Sequence, residues 1–349
     1  MVVELQIKGL NKSFKIKSKK DHFFNFKTTK KDKYSHVLNN LDLTIQDKEI
    51  YCILGNNGAG KSTLLNCIGG IHIPDNGSII LKNHTKEINV IEEPKLAKKN
   101  IIFNFQDPKF DTRLSAKSNL DFHLRMYLIE RETRKKLITE YLKLFNLHKK
   151  RDSKVYFLSG GQKKQLENIR GFITAKALQH EDILFLTDEP TAYCDIVAKN
   201  IIWDELENVC SHGTVLFSTN DLHEAEKLIK PKNGKIGFIK EGSIAFSGSL
   251  TDLQKKLSTK GNLNLIIESK LDNILFATFC ERLMDQYKSI SFSTVPEECS
   301  IKIGNISQEE MNDVMAEALE FLNSNKIFID KIEKLKPTIN DLFINKGDN

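Results

Sequence analysis

The stretch GNNGAGKS, residues 55–62, decides the fold. It matches the pattern G-x-x-x-x-G-K-[ST], which forms a phosphate-binding loop when a strand precedes it and a helix follows it. Residues 50–54 are a continuous apolar run, typical of a strand buried on both faces. From Leu64 onward apolar residues recur with helical spacing, and the glycines at 69–70 are expected to end that helix. Both conditions for the loop are therefore met.

The chemistry of this loop is that of holding a nucleoside triphosphate. Its glycines let backbone N–H groups turn toward an anion, and the following helix adds partial positive charge at its N-terminus. The lysine is expected to contact the β- and γ-phosphates, and the serine to bind Mg²⁺. A glycine-rich turn that binds nothing is the alternative. The residues predicted to bind ATP here are Gly55, Asn56, Asn57, Gly58, Ala59, Gly60, Lys61, Ser62 and Thr63.

Two adjacent carboxylates follow the apolar residues 183–186, which are predicted to form a second buried strand. Neighbouring side chains at a strand end point to opposite sides, so Asp188 and Glu189 are expected to have different roles. Asp188 suits a Mg²⁺ ligand, direct or through water. Glu189 suits a base that polarises water for attack on the γ-phosphate. The pair becomes informative because the phosphate-binding loop lies upstream.

The sequence LSGGQ, residues 158–162, predicts a second anion-binding turn. Ser159 is a good helix N-cap, and Gly160 and Gly161 leave backbone N–H groups open to an anion. A chain with one phosphate-binding loop needs such a turn if two copies face each other and each covers the other's nucleotide.

With these motifs in this order, residues 1–250 resemble the ATP-binding cassette ATPases, the nucleotide-binding subunits of ABC transporters. Gln106 resembles the Q-loop glutamine of that family, and Asp195 resembles its D-loop aspartate. The resemblance implies a P-loop NTPase fold, ATP and Mg²⁺ as cofactors, a second cassette and an integral membrane permease as partners, and Asp195 as a dimer-communication residue. It also implies catalytic roles for Glu189, Gln106 and Asn220, Mg²⁺ contacts from Ser62, Gln106 and Asp188, and contacts to the opposite subunit's ATP from Ser159, Gly160, Gly161 and Gln162.

Two further stretches resemble the ATPases that export drugs, peptides and lipids. They are residues 106–120, with QDP, DTRLS and SNL, and residues 336–343, KPTINDLF. They imply an exporter ATPase on the inner face of the cell membrane that powers translocation through a separate subunit. A soluble relative in translation or DNA repair is disfavoured, because the chain has one cassette and no heptad repeat.

The sequence departs from the family at the position of the switch histidine, where FSTNDLH, residues 217–223, has Asn220. His223 is expected to lie too far along the next helix to replace it. Asparagine can donate to a γ-phosphate oxygen, but charge-assisted hydrogen bonds are about twice as strong as neutral ones. Two readings stay open: a tolerated variation with normal turnover, or an ATP-binding switch with slowed hydrolysis.

Two other positions leave alternatives open. The family stacks an aromatic residue on adenine, and Phe14 matches it best, with Tyr34 as a rival and plain packing as the alternative. The three residues before Asp195, 192–194, are Ala-Tyr-Cys, where the family has a small residue and leucine. This departure leaves the role of Asp195 in communication across the dimer open.

The composition is that of a globular protein of about two domains. The 349 residues are 40% hydrophobic and 28% charged, which excludes a disordered chain, a collagen-like repeat and a coiled coil. Apolar runs fall far short of the ~20 residues of a membrane span, and no secretory signal is visible. The six cysteines form no CxxC pair, so neither a disulfide framework nor a zinc site is expected, and a reducing cytoplasm fits.

The positive charge is concentrated between Lys15 and Lys33. Eight lysines and two aspartates there give +6, which equals the formal charge of the whole chain. A solvated loop is one reading. Contact with anionic lipid is another, because Phe23, Phe24 and Phe26 interleave with the lysines. Nucleic acid is not expected, since no DNA- or RNA-binding motif accompanies the segment.

The predicted elements divide the chain into an α/β cassette and a smaller domain. Residues 1–250 alternate strands and helices, which favours a largely parallel sheet, with a helical subdomain at about 107–180. Residues 251–262 are polar and lysine-rich and are predicted to be a linker. Residues 263–349 are predicted to form an α+β domain with the β-α-β-β-α-β order of a ferredoxin-like motif.

Overall fold

The computed structural model divides the chain into two compact units, residues 1–250 and 251–349. Most of the basic segment, residues 17–33, and the exporter-like tail at 336–343 lie outside the described residues. The structure describes residues 4–16, 34–82, 86–178, 183–229, 234–258, 260–267, 272–287, 290–295, 300–307 and 309–335.

The first unit contains two sheets. Its strands are β1 (Glu4–Lys15), β2 (Tyr34–Ile45), β3 (Ile50–Leu54), β4 (Asn76–Lys82), β5 (Glu87–Asn89), β6 (Ile101–Asn104), β7 (Leu184–Asp188), β8 (Thr214–Thr219), β9 (Lys235–Lys240) and β10 (Ser243–Ser249). One sheet has the order β2-β1-β4-β5 and is antiparallel. The other has the order β10-β9-β3-β8-β7-β6, and its neighbours are parallel except β9 and β10.

The helices of the first unit cover the parallel sheet or form the helical subdomain. They are α1 (Lys61–Ile68), α2 (Pro94–Asn100), α3 (Ala116–Met126), α4 (Arg131–Leu144), α5 (Gly160–Ala177), α6 (Ile196–Cys210) and α7 (Leu222–Ile229). Helices α3 to α5 fall within the stretch that the sequence predicts to be mostly helical. Within the described part of the chain, none of the helices has the length and apolar content that crossing a bilayer requires.

The buried strands are confirmed, and the antiparallel sheet is a correction. Every residue of β3, β7 and β8 is buried, as expected for strands with both faces covered. The prediction of a largely parallel sheet is confirmed for the sheet that contains these three strands. It is wrong for β1, β2, β4 and β5, which form the separate antiparallel sheet. These strands have only one face in the core, where apolar residues of β1 and β2 pack with those of β3 and α1.

The second unit has the predicted β-α-β-β-α-β order. Helix α8 (Leu250–Ser258) leads into β11 (Lys260–Ile267), α9 (Asn273–Gln286), β12 (Ser291–Val295), β13 (Ser300–Ser307), α10 (Met311–Ser324) and β14 (Ile329–Leu335). The sheet is antiparallel, with the order β12-β13-β11-β14. The residues predicted to be a linker, 251–262, form most of α8 and the start of β11. These residues are lysine-rich, but they also include leucines at helical spacing, and one of these, Leu253, is buried.

Candidate nucleotide-binding site

The glycine-rich loop connects β3 to α1, as the sequence predicts. Gly58 and Gly60 have φ angles of +83° and +107°, a left-handed backbone that residues with a side chain rarely adopt. A Cβ on Gly55 would lie 2.6 Å from the Ile239 carbonyl oxygen, so the loop backbone runs directly against β9. Because the cap residue of α1 is a glycine, no side chain occupies the first N–H groups of the helix. The loop is therefore shaped to present backbone donors.

The Lys61 ammonium lies inside the loop. Its Nζ donates to the carbonyl oxygens of Gly55 at 2.7 Å and Asn56 at 3.0 Å, and the side chain is buried. Burial lowers the pKa of Lys61, and the nearby carboxylates of Glu189 and Asp188 act in the opposite direction. The cation and the two carboxylates predicted from separate motifs are thus brought within electrostatic reach of one another.

The carboxylates of Asp188 and Glu189 point to different partners, as expected at the end of a strand. Asp188 ends β7, is buried, and accepts a hydrogen bond from the Ser218 hydroxyl on β8. Glu189 has a φ of +46°, and its N–H donates to the Ser218 Oγ at 3.1 Å. Gln106 Nε2 donates to Glu189 Oε2 at 3.2 Å. The structure therefore brings the predicted base and the Q-loop glutamine together.

The residues predicted to hold Mg²⁺ fit a hard cation. Asp188 and Gln106 flank Glu189, and Ser62 directly follows Lys61 on α1. Carboxylate, amide and hydroxyl oxygens are the ligands that Mg²⁺ prefers. Among the described residues, no three His, Cys, Asp or Glu side chains form a metal-binding group on their own.

The LSGGQ turn begins α5 with a capping box. Ser159 Oγ accepts from the Gln162 N–H at 3.3 Å, and Gln162 Oε1 accepts from the Ser159 N–H at 3.2 Å. Added to Gly160, a Cβ would have open space around it, whereas on Gly161 it would lie 2.4 Å from the Tyr193 carbonyl oxygen. Tyr193 precedes Asp195, so the LSGGQ turn packs directly on the predicted D-loop.

The Asp195 side chain caps α6 by accepting from the Ala198 N–H at 2.8 Å. A pocket of about 450 Å³ lies beside this cap and the LSGGQ turn, with Ser159, Gln162, Tyr193 and Asp195 among the residues that line it. The contacts of Ser159, Gly160, Gly161 and Gln162 to a second subunit's nucleotide remain predictions.

Replacing Gly161 with alanine is expected to destabilise the first unit by about 1–3 kcal/mol, because the new methyl group overlaps a backbone oxygen that cannot move aside cheaply. Gly160→Ala is the matched control, since a methyl group there meets nothing. Thermal unfolding of both variants measures the difference. Equal melting temperatures would contradict the packing of the LSGGQ turn on Tyr193.

Asn220 and His223 lie on different elements. Asn220 is exposed and directly follows β8, beside the strand that ends in Asp188. His223 is in the first turn of α7, and its N–H donates to Asp221 Oδ1 at 2.8 Å. His223 is the second residue of the next helix, and the prediction that it lies too far along to replace Asn220 stays a prediction.

The two candidates for adenine stacking lie near the end of the β1–β2 pair. Phe14 packs edge-on against His72, with ring centroids 5.3 Å apart, and Lys12 Nζ lies 5.3 Å from its ring centroid. Tyr34 is opposite Lys15 and is exposed. Which of the two contacts adenine remains a prediction.

Sequence reasoning missed three buried or half-buried side chains around the site. Glu224 on α7 accepts from Thr191 Oγ1 and Lys199 Nζ, each at 2.6 Å, which ties the segment after β7 to α6 and α7. Lys164 and Glu167 on α5 are nearly fully buried. They stand in the polar stretch KKQLEN, which looks like an exposed helix face, so the sequence carried no signal that would have selected them.

Comparisons with known proteins find relatives of this chain. Residues 38–192 match a family model described as ABC transporter. The uncharacterized ABC transporter ATP-binding protein YxlF of Bacillus subtilis (strain 168) is 28% identical over 243 residues, which are 70% of this chain and 76% of that protein. The Nod factor export ATP-binding protein I of Rhizobium sp. (strain N33) is 32% identical over 198 residues, 55% of this chain; the match spans only 60% of that relative.

A solved structure gives the fold. The ATP-binding cassette MJ0796, in a dimeric post-hydrolysis state bound to ADP and Pi, is 25% identical and superposes with a TM-score of 0.56 over 70% of this chain and 98% of that one. The first unit thus has the P-loop NTPase fold of an ATP-binding cassette. More narrowly, the chain carries an ABC transporter ATP-binding domain, and ATP hydrolysis coupled to transport is the general activity of that family.

Proposed function

We propose that this chain is the ATP-hydrolysing subunit of an exporter of the ABC type. The observation that carries the proposal is the convergence of Lys61, Asp188, Glu189 and Gln106 at the carboxyl ends of β3, β6 and β7. In open α/β sheets this edge is where ligands bind.

The residues divide the reaction between binding and proton transfer. The loop N–H groups and Lys61 bind the β- and γ-phosphates, where Lys61 exchanges its carbonyl partners for phosphate oxygens. Glu189 accepts the proton of the attacking water, and Gln106 orients the Glu189 carboxylate through their hydrogen bond. Ser62, Gln106 and Asp188 would hold a Mg²⁺ ion, which when bound would supply positive charge against the phosphates.

Closure with a second cassette completes the site. The open surface at Gly160 and the N-terminus of α5 leave donors available for the nucleotide of a facing subunit. Binding energy at two such sites shifts the population from open to closed dimers. The proposal draws support from the dimeric state of the structural neighbour MJ0796.

The transport partner is proposed to be an integral membrane subunit, with the chain on the inner face of the membrane. Helix α3 and the turn after it expose Phe122, Met126 and Leu128, which are 62%, 64% and 92% accessible. Such an apolar surface suits a protein interface. The direction of transport is supported by the QDP, DTRLS and SNL stretches and by the name of the Nod factor export relative.

The proposal is tested by purifying the full chain from membranes and measuring phosphate release. A hydrophobic subunit is expected to co-purify, and release is expected to depend on Glu189. Isolation without any membrane subunit, together with release that is insensitive to Glu189, would overturn it.

A second function, an ATP-binding switch with little turnover, is favoured by one observation. Asn220 directly follows β8, at the position where the family has a histidine that can carry a positive charge. On that reading, Asn220→His is expected to raise the rate of phosphate release by about 5- to 10-fold, because one neutral hydrogen bond becomes charge-assisted. Steady-state phosphate release measures this. His223→Asn is the control and is expected to change little, since His223 lies on α7. An unchanged rate of phosphate release in Asn220→His would exclude the ATP-binding switch as the function.

A further inference from the structure

Two charged side chains one turn apart on α5 are almost completely buried. Lys164 is 1% exposed and Glu167 is 0% exposed. Burying a charge is costly unless it is paired or hydrogen-bonded, so each must have partners that offset this cost. Both lie on the helix that the LSGGQ turn begins, five and eight residues after its cap at Ser159.

Both side chains bond the backbone of the same residue, Phe105, which directly precedes Gln106. Lys164 Nζ donates to the Phe105 carbonyl oxygen at 3.0 Å, and Glu167 Oε1 accepts from the Phe105 N–H at 3.0 Å. Arg170, one turn further along α5, donates to Glu167 and, at 3.1 Å, to the Phe103 carbonyl oxygen. Both backbone polar groups of Phe105, its N–H and its carbonyl oxygen, are therefore bonded to side chains of the same helix.

Lys164 also reaches the strand that carries the predicted base. Its Nζ donates to the Asp188 carbonyl oxygen at 2.8 Å, and Asp188 directly precedes Glu189. A single ammonium group thus joins the backbone before Gln106 to the backbone before Glu189. These are the two residues whose side chains meet at 3.2 Å. Burial lowers the pKa of Lys164, and the carboxylates of Glu167 and Asp188 act against that effect.

We infer that Lys164 is a positioning residue for ATP hydrolysis: it sets the Gln106–Glu189 geometry and links that geometry to the LSGGQ turn of the same subunit. The inference rests on the proposed function. Lys164 lies five residues after Ser159 along the helix, which corresponds to a rise of about 7.5 Å. A movement of the turn when it meets the opposite subunit's nucleotide is therefore passed through Lys164 to the backbone before Gln106 and before Glu189.

The test compares three variants of the full chain, purified with its membrane subunit. Lys164→Met removes the donors but keeps the volume, Lys164→Arg keeps a cation with donors, and Lys163→Met is the neighbouring control. We expect Lys164→Met to lower kcat at least 10-fold with the KM for ATP within about threefold, since misplacement by about 1 Å can cost 10²-fold in rate. Lys164→Arg is expected to retain more of the rate, and Lys163→Met is expected to match the unmodified chain.

The outcomes separate this inference from the proposed function. If phosphate release by the unmodified chain is insensitive to Glu189→Gln, the proposed function fails. If release depends on Glu189 but Lys164→Met equals Lys163→Met, only the inference fails. A joint loss of kcat, ATP affinity and melting temperature, without recovery in Lys164→Arg, would show a merely structural lysine and also overturns it. If Lys164→Met does not fold, Lys164→Arg is compared with Lys164→Gln, and equal kcat values overturn the inference.

Discussion

Glu189→Gln is expected to lower kcat for ATP hydrolysis by about 10²- to 10⁴-fold, the range that a general base contributes, with ATP affinity nearly unchanged. The amide has the shape of the carboxylate but cannot accept a proton. The local backbone should stay in place, because the Glu189 N–H donates to Ser218 Oγ whatever the side chain is. Steady-state phosphate release and equilibrium binding of a fluorescent ATP analogue measure the two quantities separately.

The control for this variant is Glu92→Gln, which neutralises an exposed carboxylate after β5 and should leave kcat unchanged. The slow variant also tests the dimer, since trapped ATP should hold two cassettes together on size-exclusion chromatography. Turnover by Glu189→Gln close to that of the unmodified chain would exclude this carboxylate as the base. A strictly monomeric variant at saturating ATP, even beside its membrane subunit, would exclude the shared nucleotide site.

Local patterns were enough to predict the strands that precede the glycine-rich loop and Glu189. The five apolar residues of β3 and the run before Asp188 are buried strands, because a strand covered on both faces has no polar alternation. The order of strands and helices in the second unit was also predictable, except for residues 251–262, which were predicted to be a linker and form most of α8 and the start of β11. What these patterns lack is pairing over long separations. Strand β1 pairs with β4, about 70 residues later, and only residues 79–81 of β4 are apolar.

The sequence of the β9–β10 hairpin contains a turn signal. Its turn consists of Glu241 and Gly242, with φ angles of +48° and +77°, and Lys240 pairs with Ser243. A glycine in a two-residue loop between two apolar runs is a turn signal, because glycine adopts the left-handed backbone most readily. Reading this pair would have added one antiparallel edge to the parallel sheet.

The sequence selected the side chains whose types suit contact with phosphate, metal or water, because that chemistry requires particular residue types at fixed spacing. The supporting contacts were not predictable. Lys164 meets carbonyl oxygens of Phe105 and Asp188, which any residue type would provide, and Ser218 reaches Asp188 from 30 positions away. Only the fold makes these partners specific.

Lys61→Met is expected to weaken ATP binding by at least about 100-fold. The ammonium is proposed to donate to both the β- and γ-phosphates, and two hydrogen bonds to charged groups, at about 1.5–3 kcal/mol each, correspond to at least two decades in Kd. Stability without nucleotide should change little, because methionine fills a similar volume and the variant no longer buries a charge. Thermal unfolding with and without ATP measures both effects in one experiment.

The ATP-dependent rise in melting temperature decides whether Lys61 is a phosphate ligand. A ligand at 100 times its Kd stabilises the folded state by about 2.7 kcal/mol, so the unmodified chain should show a clear rise that Lys61→Met loses at the same ATP concentration. Lys95→Met, which removes an exposed lysine on α2, should keep the full rise. If Lys61→Met kept it as well, the phosphates would have to be held by the loop N–H groups and the N-terminus of α1 alone, and the buried ammonium between Gly55 and Asn56 would be a structural group rather than a phosphate ligand.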